Sequence, residues 1–303
     1  MNHWIHCAAA PILAAMLASA ATARTIDVAP GDGAQARVQE ALIEAQPGDV
    51  VQLGAGVFDL TDGLSLDVNG VTVRGAGMDG TILNFAGQLG AGEGLLVTSD
   101  DVVLRDFTVR DSKGDGIKSK GADRIVYRSL RVDWTGEPRA TNGAYGIYLV
   151  ESEYVLVDGV VVRGASDAGI YVGQSRHIIV RDSLALENVA GIEIENCYFA
   201  DVHGNVATRN TGGILVFDLP GLPQQGGHDV RVFDNIIINN MTANFAPPGN
   251  IVATVPTGSG IIIMANRDVE VFDNAFDGNG TANVMITGYR YGAQAVAASP
   301  GYD

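Results

Sequence analysis

Cysteine is almost missing from this chain: only positions 7 and 197 of 303 carry it. Long apolar stretches are also scarce. Ile12 to Ala18 is too short to span a bilayer as a mature helix. The Ala21-Thr22-Ala23 that follows has the small-x-small pattern that signal peptidase reads. Residues 1–23 therefore read as a cleaved export signal, which places the mature protein in the periplasm or outside the cell. Cys7 sits too early to follow a lipobox, and Cys197 alone cannot form an internal disulfide, so the fold must hold without staples. Basic residues are few, 19 Lys and Arg against 35 Asp and Glu, for a formal charge of −16. That balance argues against nucleic acid and anionic membrane surfaces as partners, because both demand clustered cations.

Glycine is abundant, at 39 positions, and 47% of residues are hydrophobic. One phrase recurs: Gly, a branched apolar residue, any residue, then usually another apolar one. It appears at Gly94-Leu95, Gly116-Ile117, Gly146-Ile147, Gly169-Ile170, Gly191-Ile192, Gly213-Ile214 and Gly260-Ile261. The steps between these glycines are 22, 30, 23, 22, 22 and 47 residues. The base period is 22 or 23, one coil carries an insertion, and the last step is either two coils or one long excursion. Each repeat holds two further strand-like pieces, such as Ile178-Ile179-Val180 and Leu184-Ala185-Leu186. Three short strands per repeat, joined by Gly, Asn and Asp turns, predict a right-handed parallel β-helix over residues 24–303, an all-β solenoid. Leucine-rich repeats and left-handed hexapeptide helices fail on consensus and on period. Alternate side chains should stack inward, with Ile147, Ile170, Ile192 and Ile214 in one apolar column. Asn188 and Asn210, 22 apart, should stack their amides from coil to coil.

A solenoid must cap its open apolar end. Ala34, Val38, Ala41, Leu42 and Ala45 make a helical stripe, started by Asp32 or Gly33 and stopped by Pro47-Gly48, so residues 34–45 are the expected N-terminal capping helix. The chain halts at Ser299-Pro300-Gly301-Tyr302-Asp303 with no second capping helix in its pattern, and the expectation is that natural relatives extend further.

The opening stretch, with Gln46-Pro47-Gly48-Asp49-Val50-Val51 and Val71-Thr72-Val73-Arg74-Gly75, resembles the N-terminal coils of the pectate-lyase-like superfamily. Gly164 to Ser175, Asn188 to Asn196 and Gly213 to Pro220 resemble blocks of a narrower family of exported tandem β-helix repeat proteins. That resemblance implies export, an unassigned activity and another exported protein as partner. Enzymes of the superfamily are mostly polysaccharide lyases, hydrolases and epimerases, so a carbohydrate role follows by analogy of fold. The Asp-Pro-His-Asp run of alginate epimerases and the Asp-rich motifs of polygalacturonases are absent from this sequence.

In the Gly-Ile-x-x strands the third and fifth positions should face outward. Lys118, Tyr148, Tyr171, Glu193 and Leu215 then form one outer column, and Lys120, Val150, Gly173, Glu195 and Phe217 a second. The coil spacing is close to the length of a sugar ring, and Tyr faces can carry sugars. Between Arg105 and Arg139 nine basic residues stand against six acidic ones. Lys113, Lys118 and Lys120 could pair with a uronic acid carboxylate, and a lysine beside a tyrosine suits β-elimination. The catalytic candidates are Lys118, Tyr148 and Tyr171. The substrate-binding candidates are Lys113, Lys120, Phe217 and, from the 134–145 insertion, Trp134 and Arg139. Glu193, Glu195 and Asp218 converge as candidate ligands for calcium or as an acid–base pair. Solvated surface charge is the bland alternative for each cluster. Two functions follow: an enzyme acting on an acidic polysaccharide, lyase or epimerase before hydrolase, or a non-catalytic module binding glycan or a protein partner.

Overall fold

The computed structural model describes residues 23–90 and 92–289. The expected signal peptide, apart from Ala23, and the C-terminal Ser299–Asp303 lie outside those residues. Three parallel sheets of ten, nine and nine strands wind around one core, and every pairing is parallel. A representative coil runs Ala168–Gly173, Arg176–Arg181 and Leu184–Leu186, and the next begins at Ala190–Glu195. We call the sheets of these three successive strands III, I and II. The architecture is the right-handed parallel β-helix that the repeat predicted.

The inward column is in the expected register: Ile147 pairs Ile170, Ile170 pairs Ile192 and Ile192 pairs Ile214, all fully buried. Strand alternation produces it, since every second side chain must leave water to close the tube. The cap is α1, Ala34–Glu44, with Gly33 at its N-cap in the left-handed region and Ala34, Val38, Ala41 and Leu42 buried.

The 47-residue step resolves into a single coil. Gly212–Phe217 pairs directly with Ser259–Met264, and the extra length lies in loop 218–227 and in a segment, 239–258, that we call the strap. Asn188 Nδ2 donates to Asn210 Oδ1 at 3.1 Å, Asn210 to Asn240 at 3.0 Å and Asn240 to Asn279 at 3.1 Å. A second ladder, Asn205 to Asn235 to Asn274, lines the corner between sheets I and II. Such ladders satisfy amides that the corners bury, at about 1 kcal/mol per bond.

Candidate functional site

The site lies on the outer face of sheet III, and the strands fix it by register. Lys118 pairs Tyr148, Tyr148 pairs Tyr171, Tyr171 pairs Glu193 and Glu193 pairs Leu215. The second column, Lys120, Val150, Gly173, Glu195 and Phe217, pairs as expected too. A third outer column went unread: the residue before each repeat glycine, which gives Glu93, Asp115, Tyr145 and Ala168. Its signal was in the sequence, in Glu93-Gly94, Asp115-Gly116 and Tyr145-Gly146.

These columns meet in a cluster of rings and charges. Tyr148 and Tyr171 stack at 5.0 Å with 5° between planes, and Tyr145 tilts against both at 4.9 Å. Lys118 Nζ sits 2.6 Å from Glu93 Oε1, 3.7 Å from Asp115 Oδ2 and 5.3 Å from the Tyr148 ring centroid. Its side chain is 31% exposed, so this end of the cluster is open to solvent. Burial pushes the Asp115 carboxyl up to about 6 against the pull of Lys118, with Glu93 adding to the rise. Burial works against the charge of Lys118, yet Glu93 and Asp115 outweigh it and hold the ammonium above its ordinary value. Burial raises the Tyr148 phenol, again against Lys118.

The other end is dry, which corrects the expectation that the whole outer face meets solvent. Tyr171 is 5% and Glu193 1% exposed. The strap crosses them: Val252 and Val255 join Tyr171, Leu215, Phe217 and Ile262 in one apolar cluster. Asn250 Nδ2 ties the strap down by donating to Asp167 Oδ2 at 3.0 Å, and Tyr145 also hydrogen-bonds Asp167. The Tyr171 hydroxyl donates to Glu195 Oε1 at 2.6 Å. Both carboxyl oxygens of Glu193 are buried without a hydrogen-bond partner. Burial, then the nearby Glu195 and Asp167, drive the Glu193 pKa far up and disfavour its charged form. Glu195 and Asp167 shift the same way for the same first reason.

The remaining candidates divide. Lys113 and Lys120 are exposed, Lys113 donating to Leu89 O at 3.3 Å and Lys120 pairing Glu151 at 3.4 Å. Arg139 is exposed on its loop, with Nε 3.1 Å from Asn142 Oδ1. Trp134 and Phe217, expected to meet substrate, are buried instead. The indole of Trp134 donates to Ser112 O at 2.7 Å, and Phe217 packs beneath the strap. Glu193, Glu195 and Asp218 are not gathered into one ligand set. The Asp218 carboxylate accepts the Gly226 backbone N–H at 3.1 and 3.0 Å. Among the described residues no group of three or more His, Cys, Asp or Glu side chains is arranged to hold a metal ion, so the calcium expectation does not fit the geometry. Cys197 is buried, as expected of a packed thiol.

A family model described as the right handed beta helix region matches residues 93–246. Among solved structures the fold is similar to an alginate lyase from Paenibacillus sp. str. FPU-7, at 17% identity and TM-score 0.53 over 88% of this chain and 98% of that one. It is also similar to the mannuronan C-5 epimerase AlgE4 A-module of Azotobacter vinelandii, at 17% identity and TM-score 0.50 over 84% and 77%. The Streptococcus pneumoniae surface protein and adhesin PfbA matches at 10% identity and TM-score 0.52 over 87% and 100%. At these identities the likeness is one of fold alone. No curated protein matches the chain in sequence. Among the described residues no helix is long and apolar enough to cross a membrane.

Proposed function

This chain belongs to the right-handed β-helix family, and from that premise we propose that it is an exported carbohydrate-active protein that works on an acidic polysaccharide, as a lyase or epimerase before a hydrolase. The observation that carries the reading is Lys118, held between Glu93 and Asp115 over the Tyr148 ring, with the Asp115 carboxyl pushed up to about 6 by burial. Two solved structures of the same fold are named for mannuronan and alginate; the matching substrate class here is part of the proposal.

A uronic acid unit laid against the edge of Tyr148, whose faces are taken by Tyr171 and Lys118, brings its carboxylate to Lys118 Nζ. The cation draws charge from that carboxylate and acidifies the neighbouring C–H. Asp115, ionised above its pKa, takes the proton as general base. Tyr148, which burial keeps protonated, is the acid. In a lyase its proton goes to the departing glycosidic oxygen as the C–O bond breaks and the C=C bond forms. In an epimerase a proton returns to the same carbon from the opposite face. Tyr171 supports Tyr148 from beneath as a positioning residue. Lys113, Lys120 and Arg139 extend the cationic track for neighbouring uronate units. Hydrolysis ranks lower, because Glu193 and Glu195, the acid–base pair expected from the sequence, are both buried.

The covered state of Tyr171, Glu193 and Glu195 favours the second reading, a module that binds glycan or an exported protein partner without chemistry. Incubation with polyuronates, with and without calcium, separates the two. Unsaturated chain ends or a changed sugar configuration support the enzyme; binding without either product supports the module.

A further inference from the structure

Sheet I carries, on its own outer face, a column set apart from the cluster on sheet III. Asp101, Arg124, Tyr154, His177, Phe199, Asp229 and Asp268 hold the same place at the start of the sheet I strand in successive coils, with φ between 51° and 59°. Asp tolerates this left-handed conformation, whereas a bulky aromatic in it is an outlier that invites a functional reading. Three consecutive coils place rings there. Tyr154 and His177 stack at 4.9 Å and 10°, and His177 and Phe199 at 5.2 Å and 7°. The rings are displayed rather than covered: Tyr154 is 57% and Phe199 47% exposed. The ring column then stops, and the next two coils put Asp229 and Asp268 in its line.

A groove of about 910 Å³ runs along this line. Beside the rings a second register column, Ile179, Asp201, Arg231 and Glu270, also lines it. Asp201 and Arg231 form a forked pair at 2.7 and 2.6 Å. We propose that this groove is a binding site for an uncharged sugar chain lying along the helix axis. Ring edges and Ile179 meet the apolar faces of the sugars, and the carboxylates and guanidinium exchange hydrogen bonds with hydroxyls. One coil rises by about 4.8 Å, so successive coils can meet successive sugars. Charge selects the class: Asp201, Asp229, Asp268 and Glu270 outnumber Arg231, which repels a polyuronate and tolerates a neutral polymer.

The test is affinity electrophoresis and calorimetry with a β-glucan, a xylan and a galactomannan, beside a polyuronate. Wild type should bind at least one neutral polymer with little dependence on salt. Phe199→Ala should weaken that binding by about tenfold, and Lys118→Ala should leave it unchanged. Ile179→Glu, at an exposed position, puts a charge where the apolar faces of the sugars would lie and should abolish binding while the protein stays folded, which keeps the test decisive even if Phe199→Ala misfolds. The proposal is overturned if no neutral polymer binds, or if folded Ile179→Glu binds as wild type does.

Discussion

The Tyr171 hydroxyl donates a 2.6 Å hydrogen bond to Glu195 Oε1 from the neighbouring strand of sheet III, and this bond marks where the outer face passes from wet to dry. On one side Lys118, Glu93 and Asp115 stay in reach of solvent. On the other, Glu193 and Glu195 are buried.

Removing that donor should be felt in two ways. Tyr171→Phe leaves a buried carboxyl short of a partner and should cost about 1–3 kcal/mol in urea unfolding. Because the bond lowers the Glu195 pKa, the variant should raise it further, which carboxyl NMR can follow.

Neighbouring substitutions on one strand should act in opposite directions. Ile192→Asp places an unpaired charge in the apolar column and should cost about 3–5 kcal/mol. Glu193→Met replaces a buried, unpartnered carboxyl by an apolar group of similar volume and should be neutral or stabilising by about 1 kcal/mol. Equal losses in chemical denaturation would contradict the burial assigned to Glu193.

Stability should fall as pH rises through neutrality. Asp115, raised to about 6, and Asp167, Glu193 and Glu195, also raised, mainly by burial, favour the folded state most when protonated. Their contribution is complete below the ordinary carboxyl values and is lost as pH climbs through the folded values. Glu93, lowered by its bond to Lys118, and Asp158, lowered by its bond to Arg181, act in the opposite sense and lose their contribution as pH falls through their folded values. The melting temperature should therefore be higher at about pH 5 than at about pH 8. Glu193→Met should flatten that slope in differential scanning calorimetry.

The Asn ladder gives a test of the corners. Asn210→Ala removes the acceptor of Asn188 and the donor to Asn240 inside a buried turn, so it should cost about 1–3 kcal/mol. A change within a few tenths would mean that the ladder is incidental.

The 22-residue echo made the coils, the inward isoleucine column and the capping helix legible, because each follows from a local pattern. Outer register was legible too, down to the pairing of Lys118 with Tyr148. What outward meant was not. Glu193 and Tyr171 point away from the core, yet they are covered by Val252 and Val255, which come 59 to 84 positions further along the chain, and no periodicity predicts where a loop of irregular sequence will lie. The same blindness misplaced Trp134 and Phe217, whose aromatic character fits a packed residue as well as a sugar platform. Asp115 and Glu93 were missed for a different reason: the reading began at the repeat glycine, one residue too late.

The central claim is proton abstraction beside a uronate carboxylate, with Asp115 as base and Lys118 as the countercharge. Incubating polyuronate with the protein in deuterated water and reading the sugar ring by NMR tests it most directly, since lyase and epimerase both break the C–H bond next to the carboxylate. The account predicts deuterium entering that carbon of the intact polymer, or unsaturated ends where the chain is cut. Lys118→Ala and Asp115→Asn should reduce either product by about a hundredfold or more while the fold is retained. A wild-type protein that binds polyuronate yet leaves its C–H bonds unexchanged and its chains uncut would contradict the claim.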